Sequence, residues 1–400
     1  MATEVATFCP LCVSRCGATA TVDDGRLLAL RPLPGHPTGQ AICVKGKAAP
    51  EIVAHPERLL HPLRRTAPKG AADPGWERIG WEEALATVAA RLTAIAAESG
   101  PEAVVFGSSS PSTSAMSDSV DWLTRLRRAF GSPNFVSYVE LCAWGRRLAT
   151  TYTWGEPVPG AYLPDLERAG CVLFWGYNPS VSRLAHATAT TAALRRGAKL
   201  VVVDPRRAGL ASKADHWLRV RPGTDGALAL AITHQMIENG WYDHDFVARW
   251  TNAPWAVRTD TGELLAPGTP PPDGVATRRV WDLIAEKCAR FTPDVAERIT
   301  GVPADRITAV ARLLREARPV AFYTWSGLEQ HSNATQTVRA ISQLYALTGC
   351  LDVPGGNVLF TPVPANPVDG APLLSAEQRA KAIGVGERPL GPARFVFVTG

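Results

Sequence analysis

Four cysteines near the amino end constrain this chain more than any other feature. Cys9, Cys12, Cys16 and Cys43 form a C-x2-C-x3-C-x26-C pattern. Three thiolates so close in sequence can wrap one face of an iron–sulfur cubane, and a distant fourth closes it. The turn-prone Pro10, Gly17 and Gly46 let the backbone curl and aim amide N–H groups at sulfur, which favours the reduced cluster. Zinc is the competing reading. Zinc sites usually draw two ligands from each of two close pairs, whereas the second half here is Cys43 alone, with His36 as the nearby substitute. The spacing therefore favours a [4Fe–4S] cluster. Residues 1–65 carry only two short β-like runs, Ala18–Val22 and Leu27–Leu30, and are expected to form a small domain that leans on its metal rather than on a large core.

After a polar loop at Pro68–Trp76, apolar residues Leu85, Val88, Leu92 and Ile95 recur at helical spacing and predict a helix over Trp81–Ser99. From Ala103 onward, short apolar runs alternate with amphipathic segments. Strands are predicted at Ala103–Phe106, Cys171–Trp175, Lys199–Val203, Trp217–Val220 and Pro319–Trp325. Helices are predicted over Ser117–Phe130, Arg183–Arg196, Ala227–Asn239 and Thr335–Leu347. Continuous apolar strands separated by helices imply parallel sheets covered on both faces. Asp260–Asp273, rich in Gly and Pro, reads as a surface loop. The final Arg394–Gly400 reads as a core strand arriving at a turn, which suggests a C-terminally truncated α/β chain.

Three strand-to-helix turns have the chemistry of nucleotide loops. Phe174–Pro179 offers Gly176 for close backbone approach and Asn178 as a side-chain donor, followed by a helix N-terminus suited to phosphate. Val203–Arg207 offers Asp204 for ribose hydroxyls and Arg206 for pyrophosphate. Arg221–Gly226 is a tight turn at Gly223 whose Asp225 carboxylate suits the two ring-edge donors of guanine. Each turn is weak evidence alone. No G-x-G-x-x-G opens a helix, which argues against a dinucleotide site of the NAD type. Cys171, Cys288 and Cys350 read as small buried hydrophobes.

With its Cys-x-Lys-Gly stretch at Cys43–Gly46 and the run Pro56–Arg65, the chain resembles the dimethyl-sulfoxide-reductase superfamily of molybdopterin oxidoreductases. The resemblance runs in order along essentially the whole sequence. It is nearest in pattern to formate dehydrogenases, nitrate reductases and thiosulfate or polysulfide reductases. It implies a bis(molybdopterin guanine dinucleotide) cofactor carrying Mo or W, held between Rossmann-like α/β domains behind the cluster domain. It also implies that Cys142 is the protein ligand to that metal, a soft donor matched to a sulfur-rich site. Glu140 is the fallback ligand. Lys45 falls where the family steadies charge between cluster and pterin. The loop Trp325–His331 falls where the family approaches the pterin, with Gly327 and Gln330 against the cofactor and His331 in a catalytic role. Formate dehydrogenases carry a histidine after the metal ligand, and here the residue is Ala143, which disfavours formate.

The expected organisation is a cluster domain at 1–65, an incomplete pterin-binding domain from 66–110 and 320–400, and a dinucleotide-binding domain at 111–319. The expected activity is two-electron oxidoreductase chemistry on a small-molecule substrate, an oxyanion such as nitrate, thiosulfate or polysulfide. Electrons would pass through the cluster to a redox partner protein or subunit. The alternative is a non-catalytic iron–sulfur electron-transfer subunit or truncated pseudoenzyme of the same family. A formal charge of +5, with the basic residues scattered, gives no stripe for nucleic acid. No apolar run approaches the ~20 residues of a membrane span, and Met1–Cys9 lacks the features of an export signal, so the chain reads as cytoplasmic.

Overall fold

The computed structural model describes residues 1–12, 14–108, 120–137, 142–155, 162–359 and 366–382. The terminal strand expected at Arg394–Gly400, the first residues of the helix expected from Ser117, and Glu140 lie outside the described residues. The chain divides into two compact units, one of residues 1–138 with 365–389 and one of residues 139–364 with 390–400.

The second unit is built on four parallel strands. In sequence they are Cys171–Trp175, Lys199–Val203, His216–Leu218 and Val320–Thr324. In space the third pairs with the second, the second with the first, and the first with the fourth. This 3-2-1-4 order is that of a doubly wound dinucleotide fold, with its switch point between the first and fourth strands. Side chains alternate between two cores, as strand geometry requires. Cys171, Leu173, Trp175, Val201, Val203 and Phe322 face one core. Val172, Phe174, Leu200, Val202, Ala321 and Tyr323 face the other. The first core is covered by residues of the helices Asp225–Glu238, Val280–Ala289, Ala304–Glu316 and Ala334–Thr348. Burial on both faces is why the strands are apolar without alternation.

One polar residue pins the edge strand. Asn357 is fully buried, accepts from the Phe322 N–H at 2.8 Å and donates to the Phe322 carbonyl at 2.9 Å. It supplies an outer strand with the two bonds a further strand would have made.

In the first unit, Thr3–Phe8, Gly17–Asp23 and Arg26–Pro32 form an antiparallel sheet. The pairs Leu63–Arg65 with Trp76–Arg78, and Phe106–Ser108 with Phe135–Ser137, add two short ladders. The helix Trp81–Ser99 forms with the predicted bounds, yet none of its residues is buried and Trp81, Leu85 and Val88 are exposed.

Several boundaries differ from expectation. The run expected as a strand at Ala103–Phe106 divides into a 3-10 turn at Pro101–Ala103 and a strand at Phe106–Ser108, because Pro101 starts a turn. The expected loop at Asp260–Asp273 contains part of a small antiparallel sheet of Ala256–Arg258, Leu264–Leu265 and Thr277–Arg279. Strands this short leave no periodic trace in sequence. Val320–Thr324, assigned by sequence to the same domain as residues 66–110, instead hydrogen-bonds to Cys171–Trp175. That pairing joins segments far apart in the chain, which local pattern cannot reveal.

Candidate cofactor site

The cysteine cluster grows from the turn between the first two strands. The Cys9 N–H donates to the Cys16 carbonyl at 2.8 Å, closing the loop that carries Cys12. Arg15 takes a left-handed φ of 45° to complete the reversal. Cys43 precedes the short helix Val44–Lys47, and a Cβ at Gly46 would lie 3.4 Å from Cys9 Sγ and 2.7 Å from Ile42 Cγ2. Gly46 therefore lets that helix come close to the thiol. Burial pushes the Cys9 thiol up, and the neighbouring Cys16, Cys12 and Cys43 push it the same way. Burial likewise raises Cys16, against a 3.1 Å contact with Ser14 Oγ. Cys12, Cys16 and Cys43 thus lie near enough to Cys9 to act on it electrostatically, and four thiols are a donor set whose chemistry fits a cluster that draws the thiolates' charge onto iron. His36 packs its ring on Gly17 and engages Thr38 through Nδ1. Lys45 is exposed on the short helix after Cys43.

In the second unit, the predicted loops gather at the carboxyl ends of the parallel strands, where α/β sheets bind ligands. Gly176 follows the first strand with a φ of 60°, and a Cβ at Gly327 would lie 2.7 Å from Gly176 Cα. The loops after strands one and four therefore touch backbone to backbone at the switch point, with Gly327 N–H donating to the Gly176 carbonyl at 3.2 Å. Asn178 caps its own chain by accepting from Ser180 N–H at 3.1 Å. The helix it starts, Pro179–Ser182, is only four residues long and precedes the helix Leu184–Arg195, which forms where Arg183–Arg196 is expected. Asp204 accepts from the Arg206 N–H at 2.8 Å, and the Arg206 side chain is exposed.

Asp225 is 5% exposed and already accepts from Trp175 Nε1 at 2.8 Å. Burial pushes its carboxyl up, while Trp175, backbone N–H groups and His331 pull it down. A Cβ at Gly223 would lie 3.8 Å from His331 Nδ1, so the Arg221–Gly226 turn and the Trp325–His331 loop are neighbours. A cavity of about 420 Å³ opens beside Gly223 and Thr224, with Lys287, Asn333 and Gln343 on its wall. Gln330 and His331 are exposed.

Cys142 is partly buried, just before the helix Trp144–Trp154. That helix lies flush on the helix Ala334–Thr348, since a Cβ at Gly145 would lie 2.7 Å from Ala334 Cβ. Arg146 reaches the loop after strand four, with its guanidinium 4.3 Å from the Trp325 ring and Nε 3.0 Å from Glu329 Oε1. Arg183 also lies over Trp325, at 4.7 Å. Sequence reasoning missed Arg146, Arg183 and Glu329. The one available signal was the charged Glu329 directly after the small and apolar pair Gly327-Leu328. Glycine loops, acidic acceptors and exposed cations at this edge fit a dinucleotide cofactor. Among the described residues no helix is long and apolar enough to cross a membrane.

Comparison with known sequences gives the class. Residues 58–391 match the molybdopterin oxidoreductase family and residues 2–55 match the molybdopterin oxidoreductase Fe4S4 domain. The chain belongs to the molybdopterin oxidoreductase family, whose characterised members are enzymes of the dimethyl-sulfoxide-reductase superfamily. The matches support a [4Fe–4S] cluster and bis(molybdopterin guanine dinucleotide) with Mo or W as its cofactors.

Among its relatives, a sulfite dehydrogenase subunit of Allochromatium vinosum is 30% identical over 88% of this chain and 43% of its own length. The thiosulfate reductase molybdopterin-containing subunit PhsA of Salmonella typhimurium is 31% identical over 78% of this chain and 36% of its own. The structure of acetylene hydratase from Pelobacter acetylenicus superposes with a TM-score of 0.75 at 26% identity, covering 93% of this chain and 48% of that one. The chain spans less than half the length of these three relatives.

Proposed function

We propose that this chain carries the cluster and the metal-binding residues of a Mo- or W-dependent oxidoreductase, with Cys142 as the protein ligand to the metal. The observation that carries the reading is Arg146. Four residues beyond Cys142, it ties the following helix to the Trp325–Glu329 loop at the switch-point edge where the nucleotide loops converge. When bound, the cofactor supplies two-electron chemistry at the metal, and the cluster passes electrons singly to a partner subunit.

The chain's own residues bind and orient. Gly176 and Gly327 permit close backbone approach, Asp204 and Asp225 accept from sugar and base, and Arg206 meets pyrophosphate. Asn178 contributes its free amide end, and Gln330 lies against the cofactor. Lys45 supplies a cation next to the last cluster ligand, and His331 would serve the reaction from the loop after the fourth strand. Ala143 after Cys142, together with relatives named for sulfite and thiosulfate, favours a small sulfur oxyanion over formate or nitrate.

Metal analysis of the full-length protein, purified without oxygen, tests this reading. About four irons per chain together with Mo or W is expected. Iron alone would identify an electron-transfer subunit, and zinc alone would overturn the assignment. Oxidation of a reduced viologen dye by thiosulfate, faster than by nitrate, is the expected substrate preference.

A further inference from the structure

Glu329 is an anomaly in the second unit. Its side chain is 1% exposed, and neither carboxylate oxygen has a hydrogen-bond donor among the described residues. Arg146 Nε lies 3.0 Å from Oε1, close enough for an ion pair but not aligned as a hydrogen bond. Burying a carboxylate so poorly supplied with donors is costly, and an apolar or amide residue of similar volume would fill the space. Packing alone does not call for an acid here.

Arg146, its one counter-charge among the described residues, is held on three sides by the same stretch of chain. It faces Glu329, lies over the Trp325 ring, and donates through Nη1 to the Thr324 carbonyl at 3.4 Å. Arg146 sits in the first turn of the Trp144–Trp154 helix, which Cys142 leads into. Its partners belong to the end of the fourth strand and the loop that carries His331.

We propose that Glu329 is a positioning residue for Cys142, locking the start of the following helix to the strand-four loop through Arg146 and setting the charge at that edge according to its own protonation. This rests on the assignment of Cys142 as the metal ligand.

Among the described residues, the charged and titratable groups that act on the acid are Arg146 from the helix and Tyr323 from the strand, with Arg183 one layer out, over Tyr323 at 5.5 Å and over Trp325. Burial pushes Glu329 up to about 7, with Arg146 pulling the other way. The carboxyl therefore changes charge across the neutral range. Above it, the carboxylate holds Arg146 by charge. Below it, the neutral acid leaves Arg146 with only Trp325 and the Thr324 carbonyl.

The test uses full-length holoenzyme and follows the metal centre's reduction potential by spectroscopic titration from about pH 5.5 to about pH 8.5. Wild type should show an inflection near neutral pH. Glu329→Gln, a neutral isostere, should take up metal normally and lose the inflection. Arg146→Met should move it to higher pH, because the cation that favours the carboxylate is gone. Arg146→Lys should keep it close to its wild-type place, and this variant decides the matter if Glu329→Gln fails to load metal. An inflection that persists in Glu329→Gln, or stays in place in Arg146→Met, overturns the proposal. The premise fails separately. An unchanged sulfur count at the metal in Cys142→Ala would remove Cys142 as ligand, whatever the inflection does.

Discussion

The cluster region and the parallel-sheet region reach order by different routes. Around the cysteines the buried residues are few and small: Cys9, Cys16, Ala18, Ala20, Leu30, Ile42 and Ala49. Two of them are expected ligands, and the strand Thr3–Phe8 is exposed along its whole length. At about 25 cal/mol per Å² of apolar burial, such a core contributes little, so the metal must hold the chain. The sheet region instead sandwiches Cys171–Trp175 and Val320–Thr324 between two apolar layers. Its chemistry sits on loops beyond the strand ends. In the first region the functional atoms are part of the core, and in the second they rest on one. Damage to function should therefore unfold the first and spare the second.

The largest effect should come from Cys43→Ser. It removes the ligand that closes the cluster, so iron should fall from about four per chain to near zero. Limited proteolysis should then cut within the first 55 residues while the sheet region stays resistant. Simultaneous loss of both regions would break the contrast.

Phe322→Ala probes the other side. Phe322 is fully buried in the fourth strand and stacks on Tyr345 at 4.3 Å. Its truncation should destabilise the sheet region by about 3–5 kcal/mol, read as a lower denaturation midpoint for that region, with iron content unchanged.

A smaller effect should come from Glu329. Its folded value is raised above its ordinary 4.5 to about 7, so the folded state binds the proton more tightly. Its contribution is fully present below about 4.5 and is lost as pH rises to about 7. A loss of at most about 3 kcal/mol follows from the size of the shift. Glu329→Gln should flatten that part of the stability profile, measured by denaturant unfolding at several pH values. An unchanged slope would assign it to other groups.

How far the sequence reveals this molecule depends on the range of the interaction. Cys171–Trp175, Lys199–Val203 and Trp81–Ser99 form with the bounds their local patterns predict. A fully buried strand or a long amphipathic helix is written in neighbouring residues. The spacing of Cys9, Cys12 and Cys16 is equally local, because three of the cluster's thiolates fall on one turn, with Cys43 following farther along the chain. Asn357, by contrast, meets Phe322 across 35 residues, and Trp175 meets Asp225 across 50. Arg146 reaches Thr324 across 178. A polar residue looks like a surface residue until its partner is known. The same limit hid the strand order, since nothing local in Val320–Thr324 names Cys171–Trp175 as its neighbour. The three turns proposed as nucleotide loops are each legible locally, but their convergence is visible only in the fold.

The central claim is that Cys142 is the protein ligand to the metal in the second region, whose core does not depend on it. X-ray absorption at the Mo or W edge of full-length Cys142→Ala, beside wild type, tests it most directly. The predicted result is one sulfur neighbour fewer at the metal, no turnover, and a cluster with its full iron. An unchanged sulfur count with retained activity would contradict it and return Cys142 to the protein core.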